Sequence, residues 1–182
     1  VRRIVANIED KKPRNVKVGH TGTLDPAATG LLMICVGKAT NKVPELINQD
    51  KTYEVELNLG KSSDTGDKEG EIVEGSAEIP DSELVTKAIN SFVGEIAQVP
   101  PVYSAIKIDG KRAYDLARAG KEVVMAPRKV TIYSIDNIIY EYPKVKFLCR
   151  VGSGTYIRSL ASDIGEKLGV GAYMSDLRRT SI

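Results

Sequence analysis

The chain has 182 residues, 42% apolar and 27% charged, with a net charge of +2; that is one ordinary globular domain with a substantial core, and a disordered chain is excluded. No run of about 18 apolar residues exists, which excludes a membrane-spanning helix. With 1 histidine and 2 cysteines a closed zinc site cannot be assembled, and Cys35 and Cys149, both in apolar stretches, read as buried reduced thiols of a cytoplasmic protein.

The chain opens Val1-Arg2-Arg3-Ile4, without an initiator Met or a secretory segment, and reads as a boundary with something upstream missing. Residues 1–12 look like the end of an amphipathic helix, broken at Pro13-Arg14-Asn15. A turn-rich segment from Val18 to Gly30 leads into a buried strand, Leu31–Val36, ending at Gly37. Residues 51–59 alternate, with Tyr53, Val55, Leu57 and Leu59 on one face and Thr52, Glu54, Glu56 and Asn58 on the other, as a half-buried strand does. Ser62 to Gly70 is a polar, acidic loop. Pro80-Asp81-Ser82-Glu83 opens a helix with an N-cap candidate, an apolar stripe through Leu84, Val85, Ala88, Ile89, Phe92 and Val93, and Gly94 as its stop.

After Pro100-Pro101 come a short strand at Ser104–Ile108, an Asp109-Gly110 turn and a brief helix at Arg112–Arg118. Two strands, Val130–Ile135 and Val145–Val151, are joined near Tyr142-Pro143. A last helix spans Tyr156–Leu168, stops at Gly169, and precedes a closing strand around Ala172–Arg178. Strands fall in adjacent groups with single helices between them, which predicts an α+β fold with a mixed, mostly antiparallel sheet and flanking helices.

Charge is uneven along this order, with balances of +3 over residues 1–50, −7 over 51–95 and +6 over 96–182. Lys107, Lys111, Arg112, Arg118, Lys121, Arg128 and Lys129 form a basic strip. It is either a solvated face or a surface for a phosphate backbone, and charge alone does not decide.

Several motifs fail on inspection. The acids of Asp64–Gly70 miss the calcium-loop positions, and Gly75 stands where the closing glutamate belongs, so the loop reads as a solvated turn. Gly152-Ser153-Gly154 lacks the third glycine of a dinucleotide fingerprint, and Val151 breaks any Gly-x-Ser-x-Gly elbow. No phosphate-binding Gly-x-x-x-x-Gly-Lys-Ser/Thr loop is present. What remains is Gly19-His20-Thr21-Gly22-Thr23-Leu24-Asp25-Pro26-Ala27-Ala28-Thr29-Gly30-Leu31-Leu32. Its glycines and proline impose a defined path, and Pro26 pushes Asp25 toward extended backbone. An acid so presented is either a nucleophile or the cap of a turn.

This segment resembles the signature loop of the TruB family of pseudouridine synthases. Lys51-Thr52-Tyr53, the stretch from Val99 to Gly120, Gly152-Ser-Gly-Thr-Tyr156-Ile-Arg158-Ser-Leu and Asp176-Leu177-Arg178-Arg179 are similar to further family motifs, in order along nearly the whole chain. The resemblance implies a uridine cut from its ribose at N1 and rejoined through C5, without cofactor or metal. Asp25 would be the nucleophile or charge stabiliser, at C1′ or C6, and Arg158 a cation steadying its ionised carboxylate. Tyr53 would stack on the base and relay the C5 proton, although an ordinary phenol titrates at about 10. His20 would fill the space left by the flipped base, and Tyr156 and Leu177 would border the uridine.

The resemblance further implies uridine 55 in the T-arm stem-loop of tRNA as substrate, with the basic strip, Arg178 and Arg179 on the RNA backbone. It implies a cytoplasmic monomer with no membrane partner. Residues 1–182 would be a catalytic domain lacking the family's N-terminal Lys-Pro-x-Gly-x-Thr-Ser motif and its small C-terminal RNA-binding domain. Two other readings compete: a non-catalytic tRNA-binding or folding module of the same fold, and an Asp-nucleophile hydrolase of small glycosides, which would need a second placed acid.

Overall fold

The computed structural model describes all residues except 1, 105, 109 and 121, and all other side chains except those of Pro13 and Lys107. In chain order the helices are α1 (Arg2–Ile8), α2 (Val43–Leu46), α3 (Ser82–Asn90), α4 (Ala113–Arg118) and α5 (Ile157–Leu168). The strands are β1 (Val18–His20), β2 (Thr29–Gly30), β3 (Ile34–Val36), β4 (Lys51–Leu59), β5 (Lys61–Ser63), β6 (Ile72–Glu74), β7 (Gly94–Gln98), β8 (Lys107–Ile108), β9 (Lys111–Arg112), β10 (Arg128–Glu141), β11 (Lys144–Val151) and β12 (Ala172–Ser181).

A six-stranded sheet in the order β2-β12-β4-β11-β10-β7 organises the molecule. Every pairing in it is antiparallel except the short parallel contact of β2 with β12. The mixed, mostly antiparallel α+β sheet expected from the strand grouping is therefore present. Alternation works as expected in β4, where Tyr53, Val55, Leu57 and Leu59 are buried. They join Phe147 and Cys149 of β11 and Ile157, Leu160 and Ile164 of α5 in one core. Burial pushes the Cys149 thiol up to about 12, in keeping with an inert core cysteine.

Local signals account for both core helices. The Asp81 carboxylate accepts the Leu84 amide at 2.8 Å, capping α3. Gly169, at φ +73°, ends α5 in a left-handed cap. Gly165 lets α5 lie against the sheet: a Cβ there would stand 2.1 Å from the Ala172 amide nitrogen.

Three expectations change. The strand foreseen at Leu31–Val36 is confined to β3, and Leu31 and Leu32 are 52% and 37% exposed; the chain leaves the sheet after Gly30, so the front of this apolar run stays at the surface and Cys35 is its one buried residue. β7 is a strand the pattern does not predict: Gly94 is expected only to stop the preceding helix, and a five-residue edge strand beginning at a glycine carries a weak period-2 signal. The acidic loop is a β5–β6 hairpin that delivers a buried carboxylate, described below.

Asp163 on α5 offers a stability test. Burial, reinforced by the Glu166 carboxylate, pushes its carboxyl up to about 6. The folded state then holds a proton that the unfolded chain has released, so stability falls as pH rises from about 4 to about 6. Asp163→Asn removes that loss. Its melting temperature is expected to exceed the parent's by roughly 2–4 °C at pH 8, discounted for the solvated half of the side chain, and to match it below about pH 4.

Candidate active site

The Gly19–Leu32 segment is the inside of a long hairpin whose feet, β1 and β3, pair Val18 with Val36 and His20 with Ile34. Midway, β2 grips β12, and the Leu31 amide donates to the Arg179 carbonyl at 2.8 Å. Gly30, at φ +100°, is required there, since a Cβ would stand 2.1 Å from that same carbonyl oxygen. Between these anchors the Ala28 amide closes a turn onto the Asp25 carbonyl at 2.9 Å. Asp25 is thus presented at the head of a tight turn.

Arg158, in the first turn of α5, meets it. Its Nε donates to Asp25 Oδ2 and its Nη2 to Asp25 Oδ1, both at 3.1 Å, a bidentate fork that fixes the plane of the carboxylate. Nη1 donates to the Thr65 carbonyl at 3.1 Å, and Nη2 also to the Tyr103 carbonyl at 2.9 Å. The Arg158 side chain is 7% exposed and that of Asp25 30%, so the cation is enclosed while the acid opens to solvent. Gln98 sets the start of the helix by bonding both the amide and the carbonyl of Tyr156, at 2.9 and 3.1 Å. The Ser159 hydroxyl donates to the Val99 carbonyl at 2.7 Å.

A second carboxylate was missed in the sequence. Asp67 Oδ2 lies 3.6 Å from Arg158 Nε, and its side chain is 8% exposed. Its other oxygen accepts the Thr65 hydroxyl at 2.7 Å and the Glu69 amide at 3.0 Å. Gly66, at φ +76°, lets the hairpin pack close to Arg158, since a Cβ there would stand 3.1 Å from the Arg158 Cβ and carbonyl oxygen, and the Met174 amide ties it to β12 by bonding the Gly66 carbonyl at 2.9 Å. Reading this loop as a solvated turn was wrong for Asp67. The one local hint was the Thr65-Gly66 turn ahead of it; nothing in a row of surface acids marks which one folds inward.

Tyr53 is 8% exposed and stands directly across from Arg179 in the β4–β12 register. Burial raises its phenol above the ordinary value, the Arg179 guanidinium opposes this through hydrogen bonding and charge, and the Asp25 carboxylate is near enough to add to the rise. Asp25 and Arg158 are thus in direct contact, and Tyr53 is linked to them through its strand neighbour Arg179, whose side chain bonds the Gly22 and Leu31 carbonyls of the Asp25 loop. Tyr156 is half-buried at the head of α5, and His20 is exposed at the end of β1, with its Nδ1 accepting the Gly22 amide at 3.4 Å. Leu177 is 5% exposed within the core, paired with Val55.

Of the basic residues, Lys111, Arg112, Arg118, Arg128, Lys129 and Arg178 are exposed. Arg112 and Arg118 flank the Tyr114 ring at 5.8 and 5.7 Å, and Lys129 pairs with Glu95 at 2.8 Å. Lys121 and the side chain of Lys107 lie outside the described residues. Arg179, expected on the RNA-contact surface, is 1% exposed. It faces inward because period-2 alternation sends it to the opposite side of β12 from Arg178.

Among the described residues no three His, Cys, Asp or Glu side chains are grouped to hold a metal ion, and no helix is long and apolar enough to cross a membrane. A cavity of about 530 Å³ opens at the far end of β4 against Asn58, Gly60, Ser76 and Tyr142. None of the residues around Asp25 lines it.

Residues 9–157 match the N-terminal domain of the TruB family pseudouridylate synthases. The chain belongs to the TruB family. Residues 158–182 match the tRNA pseudouridylate synthase B C-terminal domain, although α5 and β12, which they form, are integral to the central sheet. The tRNA pseudouridine synthases B of Cupriavidus metallidurans and Clostridium tetani are each 51% identical to this TruB-family chain, covering 91% and 97% of it but 54% and 61% of themselves. The chain thus spans little more than half the length of these curated relatives. Among solved structures, a Cbf5-Nop10-Gar1 complex contains a chain that matches with a TM-score of 0.70 at 32% identity, over 98% of this chain and 43% of that one. An H/ACA ribonucleoprotein bound to a substrate RNA containing 2′-deoxyuridine matches with a TM-score of 0.65 at 29% identity, over 98% of this chain and 41% of the other.

Proposed function

We propose that residues 1–182 act as the catalytic unit of a tRNA pseudouridine synthase that isomerises uridine 55 of the T-loop, as a cytoplasmic monomer needing neither cofactor nor metal. The observation that carries this reading is the bidentate Arg158–Asp25 pair, a half-open carboxylate aimed by an enclosed guanidinium. The relatives' names, and the substrate RNA in one structural neighbour, support the choice of uridine in RNA.

In the reaction Asp25 attacks or stabilises the nucleoside, at C1′ or C6, as the C1′–N1 bond breaks. The base turns, C5 bonds to C1′, any bond formed to Asp25 breaks and returns the free carboxylate, C5 loses a proton and N1 gains one, so composition is unchanged. No water is activated, and one carboxylate at the sugar suffices where a glycosidase needs two. Asp67 then acts on Arg158, its Oδ2 lying 3.6 Å from the Nε that also meets Asp25. Tyr53 stacks on the base and receives the C5 proton, for which its phenol must first be ionised; burial opposes this and Arg179 favours it. Tyr156 and Leu177 border the flipped uridine, and His20 fills the space that the base vacates.

Flipping a base from a folded arm costs roughly a few kcal/mol, which contacts to the RNA backbone must offset. The exposed Lys111, Arg112, Arg118, Arg128 and Lys129, with Arg178, are the proposed surface, joined by Lys107 and Lys121. Changing both Lys111 and Arg112 to Ala is expected to weaken tRNA binding and to flatten the salt dependence by about one unit of slope per lost phosphate contact. Equal slopes in titrations from low to high salt would clear this strip of the role.

The isomerisation leaves mass unchanged, so the full-length protein is best assayed by derivatising pseudouridine in a tRNA transcript and reading the mass increment. One modified position in the T-loop is expected. Tight binding without modification would favour the non-catalytic module instead.

A further inference from the structure

The side chain of Arg179 is the largest fully buried one among the described residues. Its Nε donates to the Leu31 carbonyl at 2.6 Å and its Nη2 to the Gly22 carbonyl at 3.2 Å. These carbonyls lie three residues before Asp25 and six after it, so one planar group ties together both arms of the loop that carries the carboxylate. Main-chain contacts repeat the link, through the Leu31 amide on the Arg179 carbonyl and the close approach of Gly30. On the other side, Arg179 is the cross-strand partner of Tyr53, and directly opposed side chains on one face lie roughly 5 Å apart at Cβ.

We infer that Arg179 is a positioning residue for the isomerisation: it holds the two arms of the Asp25 loop to the strand neighbour of Tyr53, and so sets the carboxylate and the phenol relative to each other. The inference rests on the function proposed above. The chemistry of the side chain suits the task. A guanidinium reaches two carbonyls at once in a rigid fork, which an ammonium cannot do with the same geometry. Its two carbonyl partners are neutral, so its charge remains available to the phenol, and its effect on Tyr53 runs against that of burial. A cation enclosed, as Arg179 is, without a carboxylate partner among the described residues is costly for stability alone. Lys51, buried beside the same loop, shows the consequence: burial and then the Arg179 charge lower its pKa.

The test compares full-length parent, Arg179→Gln and Arg179→Lys on a tRNA transcript, with melting temperature, kcat, KM and the pH dependence of kcat. Arg179→Gln is expected to lower kcat on the order of 10²-fold, the scale of an ångström-level misplacement. KM stays within about 3-fold because a buried side chain meets no RNA. The alkaline rise of kcat is expected to move upward by about one pH unit, the effect of withdrawing a nearby cation from a phenol. Arg179→Lys restores the pH profile but recovers only part of kcat. A folded Arg179→Gln with parental kcat, or a reduced kcat on an unmoved pH profile, overturns the inference. So does failure of both variants to fold, which would make Arg179 purely structural. If Arg179→Gln alone fails to fold, Arg179→Lys decides, and parental kcat in it overturns the inference. An inert parent defeats the functional reading and this inference with it, whereas an active parent with equally active variants defeats this inference alone.

Discussion

Asp25→Asn is expected to lower turnover on the order of 10⁴-fold or more while tRNA affinity stays within a few-fold of the parent. An amide keeps the volume of the carboxylate and loses its negative charge, and removing a nucleophile costs on this scale in enzymes that rely on one. The geometry separates the two effects. Asp25 sits at the head of its turn with its carboxylate on Arg158, whereas the exposed cations proposed to meet the backbone lie elsewhere in the chain. The variant remains folded. The amide nitrogen faces a donor and forfeits one bond of the fork, about 1 kcal/mol, but Arg158 keeps Asp67 at 3.6 Å and the Thr65 and Tyr103 carbonyls. Single-turnover assays with filter binding on the same transcript make the comparison. Undiminished turnover would remove the proposed mechanism.

Arg158→Lys is expected to fail in two ways. Arg158 serves four acceptors from one plane: both oxygens of Asp25, the Thr65 carbonyl and the Tyr103 carbonyl. An ammonium keeps the charge but has three donors, no fork and a shorter reach. Each acceptor left unbonded within the enclosure costs about 1–3 kcal/mol, so a lower melting temperature accompanies the change. With the carboxylate no longer clamped, kcat is expected to fall about 10²-fold even in the folded fraction. Thermal unfolding together with kcat at saturating tRNA separates the losses. A lysine variant with parental values of both would show that charge alone suffices at this position.

These two residues illustrate what local pattern reveals. Gly22, Pro26 and Gly30 constrain the loop that presents Asp25 as either a nucleophile or a turn cap, and it is the resemblance of that loop and of the Gly-Thr-Tyr-Ile-Arg segment to family motifs that gives Asp25 and Arg158 their roles. Tyr53 was assigned a face by strict alternation along β4. The sheet was foreseen as mixed and mostly antiparallel because strands clustered without intervening helices. Other residues gave no such mark. Leu31 and Leu32 look like core and are exposed, since an apolar run carries no information about which part of it meets the sheet. Asp67 looks like one more surface acid and is enclosed. Arg179 and Arg178 are adjacent and identical, yet one is buried and the other exposed.

Chain order and residue chemistry were enough to specify the β4 face, the capped helices α3 and α5, the loop bearing Asp25 and the family to which the chain belongs, because each is written in spacings of a few residues. Only folding decided that Asp67 joins Asp25 on Arg158, and that Arg179 turns inward beneath the loop. Those facts depend on contacts between segments 42 to more than 100 positions apart, such as Asp25, Asp67 and Arg158. A hydrogen bond across that separation is set by the twist and register of the sheet between them, and no local pattern records either.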